Sequence, residues 1–137
     1  MSALERLLLD AVRAQIDPRL VGAWDRQVHA INKVQRLPEG VEVNFYRMAK
    51  GHPTFDDGLT FPNKAEELLL ASVRVSWGKA SSELVARVWC VKGFIFSIEY
   101  TGGVAYFEEA AGMDPPPDFT ILCELKADLS GVAAAPS

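Results

Sequence analysis

The chain has 137 residues, 49% apolar and 23% charged, the proportions of one globular domain with a sizeable core, which excludes a disordered or membrane-embedded class. A formal net charge of −4 excludes the basic face that nucleic acid or an anionic lipid surface would need. No run of residues approaches the ~20 apolar positions of a membrane span.

Ser2 followed by Glu5 forms a capping-box signal, and Leu4, Leu7, Leu8, Ala11 and Val12 then recur at helical spacing, which predicts a first helix over residues 3–15. Glu5, Arg6 and Asp10 interrupt the apolar run that a signal peptide would carry, so the expectation is a cytoplasmic protein. Asp17 and Pro18 supply a cap and a first helical residue. Leu20, Val21, Trp24, Val28 and Ile31 form the stripe of a second helix, predicted to run to about Arg36. Residues 41–45 alternate as a half-buried strand, although Pro38 would also fit the start of a helix over 38–48. Residues 49–60, with Gly51, Pro53, Asp56, Asp57 and Gly58, form the longest loop. Asn63 with Glu66 three residues on signals a short helix to Leu69 or Leu70.

Ala71, Val73, Val75 and Trp77 alternate with polar residues as a strand, and residues 78–82 turn it into the longest apolar feature of the chain, a hairpin over 84–100. A three-residue loop at Val91-Lys92-Gly93 pairs Cys90 with Phe94, Val88 with Phe96, Ala86 with Ile98 and Leu84 with Tyr100, which makes one face wholly apolar. The other face then carries Val85, Arg87, Trp89 and Ile95. Residues 104–107 suit one more short strand, 113–118 with its three prolines an extended connector, and Phe119, Ile121, Cys123 and Leu125 a last strand. Helices first and strands afterwards predict an α+β fold, with N-terminal helices packed on one face of a mostly antiparallel sheet of about five strands. The expected organisation is a single domain, 1–137, with 131–137 a loose tail.

Phosphate-binding glycine loops, nucleophile elbows and metal-ligand spacings are all missing from the sequence, so no catalytic residue, metal or cofactor is assigned. Cys90 and Cys123 are expected as free thiols of a reducing compartment, with a disulfide between them the alternative if their strands are neighbours. His29 suits a solvated helix surface. His52 with Asp56 and Asp57, in a conformable loop, and Tyr100 are the candidates for a pocket mouth. Glu108, Glu109, Asp114 and Asp118 form an acidic rim.

The predicted order of helix, helix, strand, short helix and then antiparallel strands resembles the cone-shaped folds of the scytalone dehydratase and nuclear transport factor type, which implies a ligand pocket between curved sheet and helices. The stretch from Leu37-Pro38 through Phe45-Tyr46 to Gly51 is similar to that of bacterial toxin-immunity domains of the SUKH type, which implies a protein-binding role. Two functions are therefore expected. The first is a non-enzymatic interaction module, immunity-like or adaptor, that binds a protein partner through a sheet face or the acidic rim. The alternative is a small-molecule binder or lyase. Val85, Arg87, Trp89 and Ile95, contiguous on one face of the hairpin, predict a homodimer interface, because a monomer rarely leaves such a patch wet.

Overall fold

The computed structural model describes residues 1–54, 57–77 and 83–131. Asp56, the turn at 78–82 and the tail beyond Gly131 lie outside them. Among the described residues, three helices, α1 (Ala3–Arg13), α2 (Val21–Ala30) and α3 (Val104–Ala111), accompany the strands β1 (Lys33–Arg36), β2 (Glu42–Tyr46), β3 (Met48–Ala49), β4 (His52–Pro53), β5 (Leu68–Ser76), β6 (Glu83–Val91), β7 (Phe94–Thr101) and β8 (Thr120–Leu125). Six strands form one antiparallel sheet in the order β1-β2-β7-β6-β5-β8, and β3 pairs only with β4. The class is α+β, with one strand more in the main sheet than the sequence predicted.

Local chemistry accounts for α1. Ser2 Oγ accepts from the Glu5 amide at 3.1 Å and the Ser2 amide donates to Glu5 Oε1 at 2.8 Å, so two otherwise orphaned donors are satisfied. Its apolar stripe, Leu4, Leu8, Leu9 and Val12, is fully buried against β5 and β8. The inward faces of the strands complete the core with Val43 and Phe45 of β2, Val73 and Val75 of β5, Leu84, Ala86 and Val88 of β6, and Ile98 of β7.

Three predicted elements are corrected, and the alternative considered for residues 38–48 is set aside. The second helix stops at Ala30, and Lys33–Arg36 is an edge strand instead. Asn32 causes the break: its side chain accepts from the Met48 amide at 2.7 Å and donates to the Met48 carbonyl at 2.9 Å, and its amide donates to Tyr46. Residues 42–46 form a strand, so the helix considered over 38–48 is reduced to a turn at Pro38–Gly40. The expected helix after Asn63 is missing, because Asn63 Oδ1 accepts from Ala65 in a local turn and the residues after it, Lys64 to Glu67, are exposed and offer no apolar stripe. Residues 104–107, expected as a strand, open α3, which buries Phe107 and Ala110 at helical spacing.

The hairpin register also differs. Val91 lies opposite Phe94 and Cys90 opposite Ile95 across a two-residue turn in which Lys92 and Gly93 both have positive φ, as a type I′ turn requires. A bulge follows at Phe96, after which Trp89 faces Ser97, Val88 faces Ile98 and Ala86 faces Tyr100. The extra residue reverses the alternation at the tip, so that Ile95 is fully buried in the core and Phe96 is only half-buried. Phe96 is turned to Tyr46, which it meets edge-on with ring centroids 5.5 Å apart. The tip is held from the helix layer by Gln27, whose amide nitrogen donates to the carbonyls of Leu59 at 2.7 Å and Gly93 at 2.8 Å while its oxygen accepts from the Ile95 amide at 2.8 Å. Arg47 donates to the carbonyls of Ile95 and Gln27 and lies over the Phe94 ring at 5.2 Å. Burial pulls its guanidinium down to about 10, still charged at neutral pH.

Candidate interaction face

The strand pattern places Val85, Arg87 and Trp89 on the face of the sheet that points away from the core. Val85 lies between Arg74 of β5 and Thr101 of β7, Arg87 between Ser72 and Glu99, and Trp89 between Leu69 and Ser97. Glu99 serves two of them, since its carboxylate lies 3.7 Å from Arg87 Nη1 and accepts from Trp89 Nε1 at 3.4 Å. Both Arg87 and Glu99 are substantially exposed, so this pair contributes little to stability and chiefly orients the indole. Ile95 does not belong to this face, because the bulge at Phe96 turns it into the core.

Several residues of the same face were not singled out in the sequence. Tyr46, outward on β2, donates its hydroxyl to Gln35 at 3.2 Å, and Lys33 Nζ lies 5.9 Å from its ring. Leu122 of edge strand β8, opposite Arg74, is 65% exposed. Asn44 and Ser97 face each other between these aromatic residues and are nearly buried, and Asn44 Oδ1 has no hydrogen-bond partner among the described residues. The period-two pattern of β8 and β2 carried the Leu122 and Tyr46 signals, whereas Phe96 joined the face only through the bulge.

Among the described residues, the remaining candidates lie on separate elements, and Asp56 is outside them. His52 is exposed on β4, and Asp57 opens a short turn at Asp57–Leu59. Tyr100 sits on the opposite side of the sheet, in a pocket beside α1 and α3 that does not include His52. Cys90 and Cys123 are free, on strands separated by β5. Burial pushes the Cys90 thiol up to about 12 and raises that of Cys123. His29 is exposed on α2. Among the described residues, no cluster of three His, Cys, Asp or Glu side chains is placed to hold a metal ion, and no helix is long and apolar enough to cross a membrane.

Fold and face together define a two-layer α+β protein with one decorated sheet surface. Comparison with protein-family models, curated proteins and solved structures finds no match to this chain.

Proposed function

We propose that the chain is a non-enzymatic interaction module whose outer sheet face docks a protein partner, in the first instance a second copy of itself. The observation that carries this reading is the combination on one open face of Trp89, Val85 and Leu122 with exposed arginines and carboxylates. Tryptophan and arginine are the residues most enriched at interface hot spots, and a large exposed apolar side chain such as Leu122 gains most by leaving water. The charges alternate, with Arg74 and Arg87 among Glu99 and Glu124, so a two-fold axis that falls between an arginine and a carboxylate brings opposite signs together. The alternative of a large ligand cavity inside the fold finds less support. Phe94 and Ile98 are buried and Phe96 faces the other way, so the aromatic residues of the hairpin do not line a shared space.

Sedimentation equilibrium at concentrations on the order of tens of micromolar tests the proposal, because a weak two-fold dimer dissociates with micromolar Kd. Wild type should sediment as a dimer and Trp89→Glu as a folded monomer, since the new charge would be buried only on association. A monomeric wild type at that concentration would sink the dimer.

A further inference from the structure

The sheet ends in two edge strands, and they differ. β1 is four residues long and carries Lys33 and Arg36, charges of the kind with which native proteins blunt an edge. β8 is six residues long and holds neither a proline nor a basic residue. The Lys126 amide donates to the Leu70 carbonyl at 2.7 Å, and these two positions continue the register of β5 with β8. Antiparallel pairing alternates, so Thr120, Leu122 and Glu124 also turn their backbone groups to β5. Ile121, Cys123 and Leu125 turn theirs outward. Among the described residues, no backbone bond from outside the sheet reaches these three.

The side chains also leave this edge uncovered. Leu122 is 65% and Leu125 37% exposed, both among the few large apolar side chains that the described residues leave in water. The sequence of the edge selects its occupant. A second copy of β8 can add antiparallel about a two-fold axis normal to the sheet. Outward backbone groups then meet only if odd-numbered residues face odd-numbered ones. Two registers centred on the strand obey this condition. With Cys123 on the axis, Leu122 faces the partner's Glu124, which sets a leucine against a carboxylate. With Leu122 on the axis, leucine meets leucine, Ile121 faces the partner's Cys123 and Thr120 the partner's Glu124. Just beyond the strand, Leu125 then faces the partner's Phe119, and Lys126 faces the partner's Asp118. This second register covers both exposed leucines and sets opposite charges against each other at both ends. Lys126, which already meets Glu124 of its own strand, comes to lie between two carboxylates.

We propose that β8 is a self-recognition edge, which pairs antiparallel with β8 of a second copy, Leu122 on the two-fold axis, and joins two six-stranded sheets into one. This contact goes beyond the outer-face dimer and does not rest on it, because its axis is normal to the sheet. One short strand a side makes a small interface, so its Kd is on the order of 1 mM and the edge stays open at tens of micromolar.

Disulfide trapping tests the register. Every variant carries Trp89→Glu, which silences the outer face, and Cys123→Ala, which leaves the buried Cys90 as the one native thiol. Leu122→Cys places two thiols on facing positions with Cα atoms about 4.5 Å apart, within reach of a disulfide. Thr120→Cys and Glu124→Cys are equally exposed, but each lies roughly 13 Å along the strand from its own copy. With oxidised glutathione and protein on the order of 1 mM, Leu122→Cys should form the disulfide dimer about fivefold faster than either control or more. An equal mixture of the two controls should form a heterodimer at nearly the Leu122→Cys rate, because 120 faces 124. Adding Asp118→Lys to Leu122→Cys should slow dimer formation about fivefold, and adding Lys126→Asp as well should restore it. The proposal is overturned if Leu122→Cys crosslinks no faster than either control, or if Asp118→Lys leaves its rate unchanged. Sedimentation equilibrium of Trp89→Glu with its native cysteines gives an independent reading: a mixture of monomer and dimer near 1 mM supports the edge contact, and a pure monomer there overturns it. A wild type that is monomeric at tens of micromolar removes the face dimer and leaves this result untouched.

Discussion

Replacing Gln27 by leucine tests how the two layers are joined. Gln27 is fully buried and its side chain makes three hydrogen bonds, all of them to the backbone around the hairpin tip. Leucine fills nearly the same volume, so the cavity term is small and the polar loss is isolated. The Gly93 carbonyl would keep a partner, because the Phe61 amide also donates to it at 2.9 Å. The Leu59 carbonyl and the Ile95 amide would lose the partner that Gln27 gives them. Three neutral bonds at about 1 kcal/mol each, with up to two stranded groups that each cost about 1–3, give an expected loss of about 3–5 kcal/mol after allowing for overlap. That is a large share of a total stability of roughly 5–15 kcal/mol. Urea unfolding followed by tryptophan fluorescence measures it, with Arg19→Ala as control, since the exposed Arg19–Asp17 pair should leave the midpoint unchanged. A loss below about 1 kcal/mol for Gln27→Leu would refute the role of this residue as the tie between α2 and the hairpin.

Two further stability predictions follow. Ile95→Ala should cost about 3–4 kcal/mol and Phe96→Ala about 1–2, because only Ile95 is fully enclosed; unfolding midpoints in the reverse order would show that the bulge is misplaced. Burial, aided by Glu5 and Glu108, raises the Tyr100 phenol above its ordinary range. The unfolded phenol ionises near 10, so the folded state keeps its full stability below about pH 10 and loses it as pH climbs through and beyond that value. Tyr100→Phe should flatten this alkaline limb in urea midpoints taken from pH 8 to 11 and change neutral stability by less than about 1 kcal/mol, because the hydroxyl has no bond to lose; a neutral loss above about 2 would show that it has one.

What the sequence made legible was local. The capping box, the α1 stripe and the alternation of β5, β6 and β8 each depend on residues a few positions apart, and each formed as expected. What escaped depended on distant partners. Val28, Ile31 and Val34 keep helical spacing, and only the clamp of Asn32 on Met48, sixteen residues away, turns Lys33–Arg36 into a strand. Asn63 makes the side-chain bond expected of a helix cap, but that bond also closes a simple turn, and no buried stripe follows to distinguish the two. The same holds for the pocket. Tyr100 was a visible candidate, but Glu5 read as a cap alone, and its pairing with Arg36 joins residues 31 positions apart.

The bulges at the hairpin explain why both surfaces exist on one sheet. Strict alternation along β7 would place either Ile95, Ser97 and Glu99 or Phe96, Ile98 and Tyr100 inward, and neither set fits a core that needs Ile95, Ile98 and Tyr100 together. One extra residue at Phe96 resolves the conflict, and a second irregularity at Leu70 on β5 answers it on the other side of β6, close to Trp89. Paired bulges of this kind increase the local twist. The consequence is a division of labour along a single strand: the tip and base of β7 both serve the core, Phe96 joins Tyr46 on the outer face, and Tyr100 stays on the inner one, in the pocket that Glu5 and Glu108 also line. A deletion of Phe96 would therefore disturb both faces of the sheet at once, whereas Trp89→Glu addresses only the outer one.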